Sequence, residues 1–155
     1  MNWYAHRSSW SFIARTYLPR LALCSLVWET VQLPLYTLWS APDAAWIAYA
    51  VAHCTVGDAM IGVAALLIAL VLARAREPAH WPKARIAMAM VILALAFTVH
   101  SERSNLARGS WAYSAWMPVL PWVEVGLAPL AQWVVVPLLA WWWANRQPTP
   151  PRRRD

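Results

Sequence analysis

The chain has 155 residues, of which 61% are hydrophobic and only 13% are charged, and it carries a net charge of +6. The charged share is about half that of a typical soluble domain, so the composition excludes an ordinary soluble globule and indicates a membrane protein. Because anionic lipid headgroups at helix ends account for the excess of basic residues, we expect no nucleic-acid binding.

Four long apolar segments are predicted to span the membrane, at residues 20–39, 46–73, 86–101 and 119–143. Four spans of about 20 residues each use about 80 residues, which leaves no room for a second globular domain. We therefore predict one transmembrane domain over residues 1–144 and a disordered, basic, Pro-rich tail over residues 145–155. The amino terminus lacks the pattern of a cleaved signal peptide, so the first apolar segment is expected to remain as a helix.

Prolines and small residues suggest local features of these spans. Pro34 is expected to kink the outer half of the first span, and Gly57 and Gly62 would allow close helix approach in the second. The connection over residues 103–118 is the longest. The fourth span is expected to be bent or locally unwound because it contains Pro121, Pro129 and Pro137.

The basic residues predict the orientation of the spans. All but two of the 13 Lys and Arg residues lie before or at the start of the first span, between the second and third, or after the fourth; the two exceptions are Arg103 and Arg108. By the positive-inside rule, both termini are cytoplasmic. Most of the 13 Trp residues fall near expected span ends, as aromatic belts do. The sequence thus predicts an all-α, multi-pass four-helix bundle in the bacterial inner membrane, in contact with membrane lipids.

Ionisable side chains lie near the middle of the predicted spans. Glu29, Asp58 and Gln132 have matching depths in the first, second and fourth spans. A carboxyl at the membrane centre costs ~2.5–3.5 kcal/mol and therefore suggests function. We interpret Glu29 and Asp58 as a candidate catalytic acid/base pair. The alternative is that they only hold the helices together through hydrogen bonds.

Further polar and aromatic side chains fall at mid-membrane or in the outer half of the spans. This asymmetry predicts one polar cavity that opens toward the outer face. The candidate ligand-binding residues are Gln32, His53, His100, Glu102, Asn105, Tyr113, Gln132 and Trp133. The alternative for His53 and His100 is that each is a hydrogen-bonded polar residue near the membrane surface with no part in ligand binding. Glu102 is expected to be near solvent and paired with Arg103 or Arg108. Glu124 is expected in the first turns of the fourth span, where an acidic side chain interacts favourably with the helix dipole.

No spacing in the sequence indicates a metal site. His53 and Asp58 are five residues apart and do not share a helical face. The sequence also lacks paired-cysteine, phosphate-loop and nucleophile-elbow motifs. A metal would need ligands from several helices, for example His53, Asp58, His100 and Glu102.

Several short motifs carry a resemblance to known proteins. These are Trp28-Glu29-x-x-Gln32-x-Pro34-Leu35-Tyr36, Gly57-Asp58, Ser101-Glu102-x-x-Asn105, Trp111-x-Tyr113 and Pro129-x-x-Gln132-Trp133. Together they resemble a group of short four-span bacterial membrane proteins that have no established activity. The stretch from Glu102 through Tyr113 to Pro129 is also similar to membrane carotenoid cyclases, in which intramembrane acids protonate a polyene. That resemblance implies acid chemistry on an isoprenoid.

Four functions remain open from the sequence. The first is a module that binds a lipid, quinone or isoprenoid in the cavity. The second is an enzyme in which one of two close, desolvated carboxyls holds a proton and the other is ionised. The third is a haem protein with His53 and His100 as axial ligands. The fourth is an accessory subunit, or an oligomer, whose polar face meets a larger complex. The cofactor, if any, is not indicated.

Overall fold

The computed structural model describes residues 2–41 and 43–146. This part of the chain is mostly helical. Its α-helices are α1 (Arg7–Ser11), α2 (Leu18–Gln32), α3 (Ala44–Leu72), α4 (Lys83–Arg108) and α5 (Leu127–Asn145). A π-helical segment, Phe12–Tyr17, joins α1 to α2. Of the tail predicted to be disordered, Asn145 belongs to α5, and residues 147–155 lie outside the described residues.

The helices α2 to α5 form a four-helix bundle. Both α2 and α4 pack against α3 and α5, which is the pattern of neighbours in an up-and-down four-helix bundle. Among the described residues, α3, α4 and α5 are long and apolar enough to cross a membrane. α2 alone has only 15 residues, and it gains length from the helical segments that precede it.

The first predicted span is displaced toward the amino terminus. It was expected over residues 20–39, but the helical path begins at Arg7, and α2 ends at Gln32. Short 3₁₀ turns follow at Leu33–Leu35 and Thr37–Ser40. The reason is Pro34, which lacks the N–H needed to continue the α-helical hydrogen bonds. The expectation that Pro34 kinks a continuous helix is therefore wrong, because the α-helix ends just before this proline.

The fourth predicted span also begins later than expected. Residues 119–126 form a small hairpin in which β1 (Val119–Leu120) pairs with β2 (Val125–Gly126), and α5 starts after it. Glu124 lies in the turn with a positive φ of 56°. It forms an exposed ion pair with Arg103, with 3.6 Å between carboxylate oxygen and guanidinium nitrogen. The interpretation of Glu124 as a helix-dipole partner is thus wrong.

Aromatic side chains close the end of the bundle that carries the amino terminus. The Trp81 and Trp141 rings stack with centroids 6.1 Å apart, and Phe12 meets both rings edge-on. The Trp3 amide donates to the Ala75 carbonyl at 3.1 Å. These contacts fix the amino-terminal segment to the connection between α3 and α4.

The opposite end is covered by two connections that pair with each other. The segment after α2 meets the segment after α4 through an antiparallel bridge between Tyr36 and Tyr113. The Thr37 amide donates to the Ala112 carbonyl at 2.9 Å, and the Ser114 amide donates to the Leu35 carbonyl at 2.9 Å. This paired cover lies over the half of the bundle that contains the candidate site.

Candidate functional site

A cavity of about 430 Å³ lies in this half of the bundle. It is lined by the end of α2, the first half of α3, the last turns of α4 and the start of α5. Apolar side chains make up much of the lining, among them Leu33, Val51, Met60, Ile61, Phe97 and Trp133. Polar side chains converge on it from all four helices. An apolar pocket with a few convergent polar groups is the usual form of a small-molecule site.

Four side chains from three helices form a hydrogen-bonded carboxyl–amide cluster at the cavity: Glu29, Gln32, Asp58 and Gln132. Nε2 of Gln132 donates to Oε1 of Glu29 at 3.0 Å and also to Oδ2 of Asp58. Nε2 of Gln32 donates to the same Glu29 oxygen at 2.8 Å and to Oε1 of Gln132 at 3.2 Å. One amide thus holds both carboxyls, and the structure brings together the three residues whose depths match in the sequence.

Helical spacing, hydrogen bonds and burial position the side chains of the carboxyl–amide cluster. Glu29 and Gln32 are three residues apart and therefore share one face of α2. The Trp28 indole N–H donates to Oε1 of Gln32 at 3.0 Å, which fixes the orientation of that amide. Asp58 and Gln132 are both buried, at 8% and 3% exposure. The cluster is therefore largely buried, and its side chains are held in place by hydrogen bonds among α2, α3 and α5.

Glu102 is buried near the paired cover, with only 7% of its surface exposed. It accepts a hydrogen bond from the Tyr113 hydroxyl, whose oxygen in turn accepts the Gly126 N–H at 2.9 Å. The expectation that Glu102 is solvated and paired with Arg103 or Arg108 is therefore wrong. Burial and the neighbouring Glu102 carboxyl raise the pKa of Tyr113, which keeps its phenolic proton in place for this bond.

The other expected ligand-binding residues divide into three groups. His53, Asn105 and Trp133 line the cavity; the His53 ring is exposed and stacks on Tyr49 at 5.7 Å. Tyr113 acts on the site through Glu102. His100 is exposed and belongs to a different surface pocket, with Ser104 and Arg108.

The structure places the two histidines of the haem interpretation at different pockets. His53 lines the cavity and His100 lines the adjoining surface pocket, and the two pockets share Phe97 and Ser101. Within residues 2–41 and 43–146, no group of three or more His, Cys, Asp or Glu side chains is arranged to hold a metal ion.

The structure adds Thr98 and Trp111 to the site. Both line the cavity. The Thr98 hydroxyl, in a residue only 5% exposed, and the Trp111 indole N–H have no hydrogen-bond partner among the described residues. The sequence held a signal for Thr98, which lies four residues before Glu102 and hence on the same helical face. Buried polar groups are normally satisfied, so these two are available to a bound molecule.

Comparison of the chain with protein-family models, with curated proteins and with solved structures finds no match. The apolar lining can hold a hydrocarbon body, while the carboxyl oxygens can accept hydrogen bonds from its polar end. Two carboxyls joined to one amide can also exchange a proton with a bound molecule.

Proposed function

We propose that this protein is an integral protein of the bacterial inner membrane that binds a lipid, quinone or isoprenoid-like molecule in its cavity. The observation that carries the proposal is the carboxyl–amide cluster within a largely apolar cavity. The volume of about 430 Å³ falls within the range of about 300–1,000 Å³ usual for ligand pockets. A long apolar molecule with one polar end would match both parts of this lining.

The proposed orientation follows from charge and aromatic placement. The helices α3, α4 and α5 are three of the four proposed spans, and the fourth is the helical path from Arg7 through α2. The basic residues favour cytoplasmic termini. The cavity then lies in the outer half of the bundle, away from the stacked Trp81 and Trp141 rings at the cytoplasmic end.

A second candidate function is acid–base catalysis on an isoprenoid or lipid. The specific observation that favours it is that Glu29 and Asp58 share the Nε2 donor of Gln132. Two carboxyls held this close in a desolvated site would not both remain ionised, so one would hold a proton for donation and the other would act as base. This function requires the same bound molecule as the first.

Mass spectrometry of copurifying molecules tests the binding function. Gly57 lines the cavity, and a Cβ built there meets nothing within 4 Å, so Gly57→Phe can fill the space without displacing backbone. Val56→Phe places the same ring on the neighbouring, 60% exposed position, outside the cavity lining. We expect a specific apolar molecule in organic extracts of the natural protein and of Val56→Phe, and its loss from Gly57→Phe.

One result of the mass spectrometry would contradict the binding function. If the extracts contain only bulk membrane lipid, at the same ratio to protein in all three proteins, the cavity does not retain a ligand. Size-exclusion elution of each variant at the position of the natural protein serves as the control for folding.

A further inference from the structure

We propose that the cavity selects a long-chain molecule whose polar end donates hydrogen bonds, an alcohol or an amine, over one whose polar end can only accept them. This inference rests on the proposed binding function and narrows its ligand class, because an oxidised quinone, whose carbonyls can only accept hydrogen bonds, would then be disfavoured. It is based on the observation that the amide N–H groups of the carboxyl–amide cluster already donate hydrogen bonds within the cluster.

Each N–H of the two amides in the cluster has a partner within it. An amide nitrogen has two hydrogens. Those of Gln132 go to Glu29 and Asp58, and those of Gln32 go to Glu29 and Gln132. The Trp28 indole N–H is bonded to Gln32 as well. A proton shared between the two carboxyls would also be used between them. The cluster therefore has no N–H left for an incoming acceptor.

The carboxyl oxygens of the cluster can still accept further hydrogen bonds. Even with one proton between them, the two carboxyls have more lone-pair positions than donors, because the four hydrogen bonds between the side chains of the cluster place only three N–H groups on these oxygens. An ether or ester oxygen at this place would face carboxyl oxygens without a hydrogen between them, which is unfavourable. A hydroxyl or amine supplies that hydrogen, and bonds to charged acceptors are the stronger ones.

The rest of the cavity determines where the hydrocarbon chain would lie. Met60 on α3 and Phe97 on α4 both line the cavity and are 69% and 47% exposed. The lining therefore reaches the outer surface of the bundle between these two helices. Gly57 leaves open space on the same side. In a membrane this surface faces lipid, so a chain longer than the cavity can extend into the bilayer there.

The unpartnered Trp111 N–H does not alter the selection at the cluster. Trp111 belongs to the connection after α4, at the paired cover, whereas Asp58 lies in the middle of α3. The Thr98 hydroxyl, also unpartnered, can both donate and accept. The Thr98 hydroxyl therefore bonds equally to either kind of polar end, and it lies on α4, which contributes no side chain to the carboxyl–amide cluster. Neither group reverses the selection made at the cluster.

Photo-crosslinking with a matched pair of probes tests the inference. The probes are a C16 primary alcohol with a mid-chain diazirine and a terminal alkyne, and the methyl ether of the same molecule. The full chain is reconstituted in phosphatidylcholine nanodiscs and irradiated with each probe, and the labelled peptides are quantified by mass spectrometry. Gly57→Phe reports labelling that depends on the cavity, with Val56→Phe as its control.

We expect the alcohol to label peptides of α3 and α4 about tenfold more than the ether at equal concentration. This labelling should disappear in Gly57→Phe and persist in Val56→Phe. Asp58→Asn, which exchanges an acceptor oxygen for a donor nitrogen, should reduce the preference for the alcohol to about twofold or less. If Asp58→Asn does not fold by size-exclusion elution, Glu29→Gln provides the same comparison.

Two other outcomes would overturn the inference, and they separate it from the proposed function. Equal labelling by alcohol and ether, lost in both cases in Gly57→Phe, would retain the binding cavity and refute the selection of donors. Labelling by both probes that Gly57→Phe leaves unchanged would refute the binding cavity as well, because the probes would then mark only the lipid-facing surface.

Discussion

Gln32 donates a hydrogen bond to Gln132 across the bundle, with 3.2 Å between Nε2 and Oε1, although the two residues are 100 positions apart in the chain. The bond joins the end of α2 to the start of α5. It also orients the Gln132 amide so that its nitrogen points to both carboxyls. A single glutamine thereby determines whether Glu29 and Asp58 have a common donor.

Gln132→Met should destabilise the bundle by about 1–3 kcal/mol, because it keeps the length of the side chain but removes both carboxyls' shared donor. Thermal unfolding in detergent, followed by near-ultraviolet circular dichroism, measures the effect. Val135→Met, at a 45% exposed position on the same helix, should change stability by less than about 0.5 kcal/mol. Equal effects of the two substitutions would argue against a stabilising cluster.

Gly57 and Gly62 should respond oppositely to alanine. Gly57→Ala should stabilise by about 0.4–1 kcal/mol, since its added Cβ meets open space within a helix. Gly62→Ala should destabilise by about 1 kcal/mol or more, because its Cβ would lie 2.5 Å from Cδ2 of the fully buried Leu21. Unfolding midpoints in one detergent measure both. Destabilisation by Gly57→Ala would contradict the open space at that position.

Tyr113→Phe should remove the donor to Glu102 and the acceptor for the Gly126 N–H, at a cost of about 1–3 kcal/mol. The loss should depend on pH in one direction. Since the folded-state pKa of Tyr113 is raised, its contribution is fully present below the unfolded value of about 10 and is lost as pH rises through the folded-state pKa. Unfolding at pH 8 and at pH 11 measures this.

The pH control is the difference between the natural protein and Tyr113→Phe at each pH. Other titrating groups are the same in both proteins and cancel. A difference that grows from pH 8 to pH 11 would contradict the assignment of Tyr113 as a protonated donor.

Glu29→Gln should leave folding nearly intact, because the amide retains the oxygen that accepts from Gln32 and Gln132. Glu29→Leu should destabilise, since it leaves those two donors without this acceptor. If the protein is an acid–base enzyme that uses Glu29, Glu29→Gln should lower turnover of its substrate about 100-fold or more. Retained activity of a folded Glu29→Gln protein would exclude Glu29 as acid or base.

Reporter fusions test the proposed orientation. Fusions after Arg76 and after Arg146 should report the cytoplasm, and fusions near Asp43 or Gly109 should report the outer side, because basic residues concentrate on the cytoplasmic side. A cytoplasmic signal from Gly109 would reverse the depth assigned to the cavity.

Hydropathy and charge in the sequence predicted a helical bundle and most of each long helix, since these depend on the average character of about 20 residues. They did not predict the hairpin at residues 119–126. Its strands contain Val119, Leu120 and Val125, so they are as apolar as a helical span, and turn formation depends on a few local residues. The end of α2 at Gln32 differs from the expectation for a similar reason, because a proline such as Pro34 can kink a helix or end it.

Depth along the helices suggested that Glu29, Asp58 and Gln132 could meet, but depth contains no information about the direction in which a side chain points. His100 illustrates the difference. It lies two residues before Glu102, or about 200° around a helix, so both cannot face one cavity. The two-residue spacing of His100 and Glu102 in the sequence is therefore enough to separate His100 from the candidate site.

The π-helical segment Phe12–Tyr17 has a consequence for periodicity. Buried residues recur at every fourth position across it: Ser9, Ile13, Tyr17, Leu21 and Ser25. In a regular α-helix, four residues exceed a full turn by about 40°, and over this stretch the accumulated drift of about 160° would carry Ser25 to the far side of Ser9. The wider π turn takes more residues per revolution and offsets part of that rotation. The segment Phe12–Tyr17 therefore helps to keep buried positions that recur at every fourth residue on one side of the helical path.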